Sequence, residues 1–294
     1  MQVLKRVIAL ATIFLTVLAG GGVALAGLGQ PSPWELGLQQ SGSTGMDAIV
    51  SFHNLLLVII TGVSIFVLGL LVVVMVRFNA RANPTPSKTT HNTLLEVLWT
   101  IVPVLILVII AVPSFRLLFT QTHIPPADVT VKATGKQWYW SYSYPDAGDF
   151  EFDSLMLSDK ERKGDQPRLL AVDNFVVVPV NKVVRLLTTA SDVIHSFSVP
   201  SFGIKIDAIP GRINEAWFKA TKEGIYYGQC SQLCGRDHAF MPIEVHVVSE
   251  ELFKRWAEAA QKDVDEAGKL LAEAEAGASH KMATAENPSV GAAQ

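Results

Sequence analysis

Two long apolar stretches in the first half of the chain constrain its fold more than any other feature. Residues 55–76 contain no charged side chain, and residues 94–119 contain only Glu96 near their start and Arg116 near their end. Each stretch is long enough to cross about 30 Å of membrane hydrocarbon as an α-helix. We therefore expect a transmembrane helical hairpin within residues 49–120.

The segments around this hairpin predict its orientation. The loop between the two stretches carries Arg77, Arg81 and Lys88 but no acidic residue, which places the loop in the cytoplasm. Residues 1–26 combine basic residues, a short apolar run and an Ala-x-Ala sequence. That pattern predicts a signal peptide cleaved after export, with an uncleaved membrane helix as the alternative. Residues 27–48 would then be a short segment outside the cytoplasm, as would everything after the hairpin.

The second half of the chain has the pattern of an exported β domain. Residues 121–249 contain short β-branched runs separated by Pro, Gly and Asp, which predict a β-sandwich or Greek-key barrel. From residue 250 to about 276 the spacing predicts an amphipathic helix, and the rest of 250–294 is an Ala-rich tail that we expect to be disordered. The net charge of −3 indicates no general attraction to nucleic acid.

The metal-binding potential of the chain is concentrated in one short segment. It holds the only two cysteines, Cys230 and Cys234, and His238 and Met241 follow them at regular intervals. Two thiolates, an imidazole and a thioether form a soft ligand set of the kind that copper prefers. If His195 joins from an upstream loop, the set is large enough for two copper ions that share both sulfurs.

Three other interpretations of this segment remain open. Its four potential ligands would also share one face of an α-helix, although glycines and a proline punctuate the segment and the run before it reads as a strand. The two cysteines could form a simple disulfide in an exported protein. Zinc is the third alternative, but methionine is a poor zinc ligand and the cluster lacks a fourth hard donor.

The sequence Gly-Gln-Cys-Ser-x-Leu-Cys-Gly, followed by His-Ala-Phe-Met-Pro, resembles the CuA loop of the cytochrome c oxidase subunit II family. The resemblance covers most of residues 50–250 and includes Asp-Val-Ile-His-Ser around His195. It implies a cupredoxin-like Greek-key sandwich with a dinuclear CuA centre. Two cysteines would bridge the copper ions, two histidines would bind one copper each, the methionine would be a weak fifth donor and a glutamine would supply its backbone carbonyl. The implied ligands are His195, Cys230, Gln232, Cys234, His238 and Met241.

The same resemblance implies functional residues outside the copper loop. Trp138 begins the family's Trp-Tyr-Trp-Ser-Tyr motif and would be the exposed point where electrons arrive, whereas most of the other aromatic residues of this run are interpreted as strand packing. Glu96 is an intramembrane acid and therefore a candidate for function. With the nearby His91, it corresponds to the mouth of a proton path that leads into subunit I.

Three acids resemble members of a docking surface for cytochrome c, namely Asp153, Asp173 and Asp192. The family usually has another acid where this chain has Ser143, so we expect electrostatic steering that is weaker than usual but present. The chain also departs from the family at Gln232, where the usual glutamate binds Mg²⁺ at the border with subunit I. A neutral amide lacks the charge that Mg²⁺ favours, so magnesium should be bound weakly or not at all.

The resemblance implies electron transfer from cytochrome c to haem in subunit I, where oxygen is reduced to water and protons are pumped. The implied partners are cytochrome c, subunits I and III, and the lipid of a bacterial inner membrane, with the copper domain in the periplasm. Three rival classes remain. A quinol oxidase subunit II would lack the cysteines, a thioredoxin-like copper chaperone would have one span and a histidine after its cysteines, and a structural disulfide domain would leave His238, Met241 and Trp138 unexplained.

Overall fold

The computed structural model describes residues 28–164 and 166–274, in which two long helices precede a β domain. Helix α1 spans Thr44–Arg77 and helix α2 spans Thr93–Thr122. Both are long and apolar enough to cross a membrane, and the most apolar window of each has no buried residue. The predicted hairpin is therefore confirmed, whereas the predicted signal peptide lies outside the described residues.

Helix α1 begins well before the predicted apolar span, because its first turn is fastened to the β domain. The N-cap Ser43 is fully buried. Its Oγ accepts a hydrogen bond from the N–H of Met46 at 3.0 Å and donates one to the carbonyl of Phe202 at 2.8 Å. At the neighbouring end of α2, the indole Nε1 of Trp217 donates to the carbonyl of Thr120 at 3.2 Å. Both membrane helices are thus tied to the domain that they carry.

The described residues of the β domain form ten strands. They are β1 (Val129–Lys136), β2 (Tyr139–Ser143), β3 (Glu151–Ser154), β4 (Val176–Pro179), β5 (Val183–Ala190), β6 (His195–Val199), β7 (Ile204–Ala208), β8 (Asn214–Lys219), β9 (Gly224–Cys230) and β10 (Pro242–Val248). One five-stranded sheet has the order β3-β2-β1-β5-β8, and the other has the order β4-β10-β9-β6-β7. Pairs β1–β5 and β4–β10 are parallel and the remaining pairs are antiparallel. Because the chain crosses between the sheets, the domain is the predicted Greek-key sandwich.

An aromatic cluster fills one part of the core. Trp140, Tyr142 and Tyr144 alternate along and beyond β2 and are fully buried, as expected for strand packing. Helix α3 (Glu250–Ala260) covers this cluster with Trp256. The rings of Trp256 and Tyr144 meet edge-on, with their centres 5.2 Å apart. Edge-to-face pairs of this kind add about 0.5–1.5 kcal/mol beyond the burial of their area.

The C-terminal helix differs from its prediction. In place of one helix from residue 250 to about 276, α3 ends at Ala260 and a further helical stretch occupies residues 264–274. Asp263 caps that second stretch, since its Oδ1 accepts hydrogen bonds from the N–H groups of Asp265 at 2.9 Å and Glu266 at 3.2 Å. Aspartate is a preferred N-cap residue, so a helix start at this position competes with an uninterrupted helix. The tail that we expect to be disordered lies outside the described residues.

Three loops meet at one end of the sandwich and define the site. They are the β1–β2, β5–β6 and β9–β10 connections. Gln137, in the first loop, binds the other two, because its backbone N–H donates to Asp192 Oδ2 at 2.6 Å and its Nε2 donates to the carbonyl of Cys234 at 2.9 Å. The fold thus brings together residues that are about 100 positions apart in the sequence.

Candidate metal centre

His195 is the first residue of β6, and its ring is held from both sides. It is fully buried, and its Nε2 lies 2.9 Å from Asp192 Oδ1. With Nε2 engaged by the carboxylate, Nδ1 is the nitrogen that faces the metal centre, at 3.9 Å from Cys230 Sγ. A carboxylate on the second ring nitrogen of a metal-binding histidine fixes the tautomer and orientation of the ring.

The cysteine segment supplies the remaining donors from three different local structures. Cys230 ends strand β9, Cys234 lies in the following loop, and His238 begins a short 3₁₀ helix, His238–Phe240. Met241 follows that helix and is almost fully buried. The interpretation of this segment as one face of an α-helix is therefore wrong.

The donor atoms converge on a small volume. The Sγ atoms of Cys230 and Cys234 are 3.9 Å apart, and Cys234 Sγ lies 3.5 Å from His238 Nδ1 and 3.6 Å from Met241 Sδ. Donor atoms of His195, Cys230 and Cys234 all lie within 4.8 Å of one another. The carbonyl of Gln232 is 3.3 Å from Cys230 Sγ. The structure thus places all six predicted ligands around one centre.

Both cysteines are free thiols, so the disulfide interpretation does not describe this structure. Burial raises the pKa of each thiol. At Cys230, hydrogen bonds with His195, the backbone of Gln232 and Ser196, and His238 together outweigh burial and lower the pKa to about 6. At Cys234 the negative charge of Cys230 adds to burial and raises the pKa to about 12. The opposite shifts favour a proton on Cys234 over one on Cys230, and metal binding requires both sulfurs to be deprotonated.

The chemistry of the donors fits copper better than zinc. Zinc favours four donors from cysteine, histidine and carboxylates in a tetrahedron. Here a thioether sulfur lies against one of the two thiols, and thiolates, thioethers and imidazoles together form a set that copper prefers. The two thiols also have two imidazoles, one beside each sulfur. This pairing suits two metal ions that share the sulfurs.

The wall of the centre includes residues that the sequence did not single out. Trp140 meets His195 edge-on with ring centres 6.0 Å apart, and its Nε1 donates to the carbonyl of Met241 at 3.3 Å. Gly135 lies so close that a Cβ atom there would be 2.7 Å from His195 Cδ2. A glycine inside a strand marks a close approach of this kind, which was the available signal for Gly135. The sequence predicts Asp192 as a docking acid and not as the partner of His195.

Trp138 lies at the edge of the metal centre and is half-buried. A Cβ atom on Gly235 would be 3.0 Å from its Cζ2, so only glycine lets the cysteine loop lie against the indole in this way. The preceding Gln137 is bonded to the carbonyl of Cys234. Trp138 therefore connects the protein surface to the loop that holds one of the thiols.

The other predicted functional residues lie in two places. Asp153 contacts Ser141 Oγ and lies 3.5 Å from Lys136 Nζ, while Asp173 accepts the N–H of Leu155 at 2.7 Å. These acids and Asp192 are exposed. Glu96 and His91 are in and just before the first turn of α2, at the opposite end of that helix from the β domain, and are not brought to the metal centre.

Two membrane-spanning helices and a β-sandwich with a soft-ligand centre define the class of membrane-anchored copper proteins. The family model described as "Cytochrome C oxidase subunit II, periplasmic domain" matches residues 129–248, and the model of the transmembrane domain of the same subunit matches residues 31–117. The chain belongs to the cytochrome c oxidase subunit II family.

Individual relatives are similar over most of the chain. A probable cytochrome c oxidase subunit 2 of Rickettsia bellii is 56% identical over 233 residues, which cover 79% of this chain and 87% of that protein. The cytochrome c oxidase subunit 2 of Cereibacter sphaeroides is 44% identical over 270 residues, which cover 86% of this chain and 89% of that protein. The crystal structure of the periplasmic domain of subunit II of cytochrome oxidase from Bradyrhizobium japonicum has 63% identity and a TM-score of 0.46, and the match covers 48% of this chain and 99% of that one.

This membership identifies the chain as a subunit of an oxidoreductase complex, with other oxidase subunits as partners. It also identifies a membrane protein with a periplasmic domain. The three rival classes are excluded. A thioredoxin-like copper chaperone would not have this β-sandwich, a quinol oxidase subunit would not have the two cysteines, and a structural disulfide domain would not have them as free thiols.

Proposed function

We propose that this chain accepts single electrons from cytochrome c at a dinuclear copper centre and passes them to haem in subunit I, where oxygen is reduced to water and protons are pumped. The observation that carries the proposal is the convergence of both free thiols with an imidazole beside each and a thioether beside one. When bound, a thiolate-bridged copper pair supplies a one-electron carrier whose charge is shared over two metal ions. Sharing changes each bond length little, so little reorganisation opposes the transfer.

The ligands of this proposal have defined tasks. Cys230 and Cys234 would hold both copper ions, His195 and His238 would each hold one, and Met241 would be a weak fifth donor. The carbonyl of Gln232 would be the sixth ligand. The chain also excludes water from the centre, because four of the five side-chain donors are buried and Trp140 closes one wall. Rigid strands fix the geometry, since His195 begins β6 and Cys230 ends β9.

The test is electron paramagnetic resonance of the purified oxidase together with a copper count per complex. We expect a hyperfine pattern from one unpaired electron shared over two copper nuclei, and two copper ions bound to this subunit. A spectrum from a single isolated copper at this subunit would contradict the dinuclear assignment. So would a subunit II that retains two free thiols and takes up no copper.

Other parts of the proposal concern the rest of the complex. Trp138 receives the electron, because it lies at the surface and against the Cys234 loop. Glu96, together with His91, serves the mouth of a proton path shared with subunit I, and its place in the first turn of a membrane helix supports this role. Subunit III and lipid are further neighbours. We place the complex in a bacterial inner membrane with the β domain in the periplasm.

The three predicted docking acids should attract cytochrome c less strongly than three free carboxylates would. Asp153 has a local cation in Lys136, and Asp192 is hydrogen-bonded to His195. Asp173 is engaged by the backbone N–H groups of Leu155 and Asn174. Carboxylates that already have partners attract a distant charge less than free ones do. We propose that these acids contribute to cytochrome c docking together with the contacts around Trp138.

Gln232 leads to a separate prediction about magnesium at the border with subunit I. Any residue can provide the backbone carbonyl for copper, but Mg²⁺ favours charged oxygen ligands. We expect the purified complex to contain normal copper and less than one magnesium per complex, and we expect Gln232→Glu to gain magnesium without a change in copper. Metal analysis after dialysis measures both. Full, tightly held magnesium in the unchanged protein would contradict the prediction and would assign the site to ligands from subunit I alone.

A further inference from the structure

The side chain of Arg236 lies over the proposed electron-accepting tryptophan. The centre of its guanidinium group is 5.5 Å from the ring centre of Trp138, within the range of a cation–π contact. The Arg236 side chain is 82% exposed. A positive charge therefore sits at the surface that any electron-donating protein must approach to reach Trp138.

The local structure holds this cation in place. The carboxylate of Asp237 accepts hydrogen bonds from Arg236 Nη2 at 2.9 Å and from Arg236 Nε at 3.2 Å. On the other side, Gly235 has a φ of +127° and presses the loop against the indole. The buried indole Nε1 of Trp138 has no hydrogen-bond acceptor among residues 28–164 and 166–274. Arg236 is thus kept beside Trp138 by contacts on two sides.

One edge of the guanidinium group remains available to a partner. Asp237 uses Nε and Nη2, whereas Nη1 of Arg236 has no acceptor within the described part of the chain. Guanidinium groups bind carboxylates with strong, directional hydrogen bonds. By contrast, a lysine brought to the same place would meet a like charge. Asp237 offsets part of the charge of Arg236, and Asp192 is already engaged by His195.

We propose that Arg236 is a specificity-determining residue for the electron donor. It favours a cytochrome c that presents a carboxylate beside its exposed haem edge and disfavours one whose haem edge is surrounded by lysines alone. This inference rests on the proposed function of Trp138 as the point where electrons arrive. It concerns which donor is accepted, whereas the copper ligands concern what happens after the electron has arrived.

The experiment compares two donors with the intact, purified oxidase. One is a basic cytochrome c with lysines around its haem edge, and the other is the same protein with one of those lysines changed to glutamate. For Arg236→Glu, we expect kcat/KM to rise about two- to fivefold with the first donor and to fall by a similar factor with the second, as exposed charge pairs allow. Both changes should shrink as salt is raised, because salt screens exposed charges.

Two further variants make the result specific. Lys222→Glu produces the same change in net charge at the opposite end of β9 from Cys230, and it should affect both donors equally. Arg236→Gln removes the charge without adding another. For each donor it should change kcat/KM in the same direction as Arg236→Glu does, but by a smaller factor. Copper content and the copper spectrum are measured for every variant, so that damage to the metal centre is recognised.

The outcomes separate this inference from the function on which it rests. If Arg236→Glu and Arg236→Gln change kcat/KM by the same factor for both donors, the specificity role of Arg236 is overturned. If Trp138→Phe leaves the rates with both donors unchanged, the role of Trp138 fails, whatever the Arg236 variants do. Opposite responses of the two donors, together with a slow Trp138→Phe variant, support both.

Discussion

Cys230→Ser is expected to abolish the shared-electron copper spectrum and to lower the rate of cytochrome c oxidation by more than about 100-fold. Loss of a residue that only supports a metal ligand already costs about 10- to 100-fold, and Cys230 is proposed to be a bridging ligand itself. Its Sγ lies 3.9 Å from both Cys234 Sγ and His195 Nδ1, at the centre of the donor set. A serine hydroxyl is a hard and poorly ionised donor that cannot replace a thiolate between two copper ions.

The measurement combines paramagnetic resonance, copper content and steady-state oxidation with the purified complex. Ser231→Ala is a suitable control, because this exposed neighbour contributes no side-chain donor to the centre. The haem spectrum reports whether the complex has assembled in both variants. A Cys230→Ser complex that keeps the shared-electron spectrum and its normal rate would contradict the proposed bridging role.

Trp138→Phe is expected to slow electron transfer from cytochrome c about tenfold or more while copper content and the copper spectrum stay normal. Tenfold corresponds to about 1.4 kcal/mol in activation free energy. The outer edge of the indole reaches the cysteine loop, since Cζ2 would be 3.0 Å and Nε1 3.2 Å from a Cβ on Gly235. Phenylalanine keeps an aromatic group at the surface but is too short to make that contact.

Rapid mixing of reduced cytochrome c with the oxidised complex measures this step directly. Trp217→Phe is the matched control, because it makes the same change in a half-buried tryptophan that contacts Thr120 at the membrane end of the domain. We expect its rate to be unchanged. An unchanged rate in Trp138→Phe as well would mean that Trp138 only packs against the loop and that electrons arrive elsewhere.

Much of the architecture could be predicted because it depends on composition along short stretches. An uncharged run such as residues 55–76 has few stable alternatives to a membrane helix, and β-branched runs between turn residues predict strands. The end of the C-terminal helix was less predictable. Asp263 is compatible with the solvent-exposed side of a continuous helix as well as with a cap, and the sequence does not distinguish between them.

The chemical nature of this protein follows from local sequence. Two apolar spans require a membrane, and Cys230, Cys234, His238 and Met241 lie within one short segment, so a single compact loop can bring these soft donors together. The rest of the centre depends on tertiary contacts. His195, Gly135 and Trp140 reach it from separate strands, and Asp192 proved to hold the His195 ring. Contacts between distant residues depend on how two sheets pack and which loops meet, and no local pattern encodes that geometry.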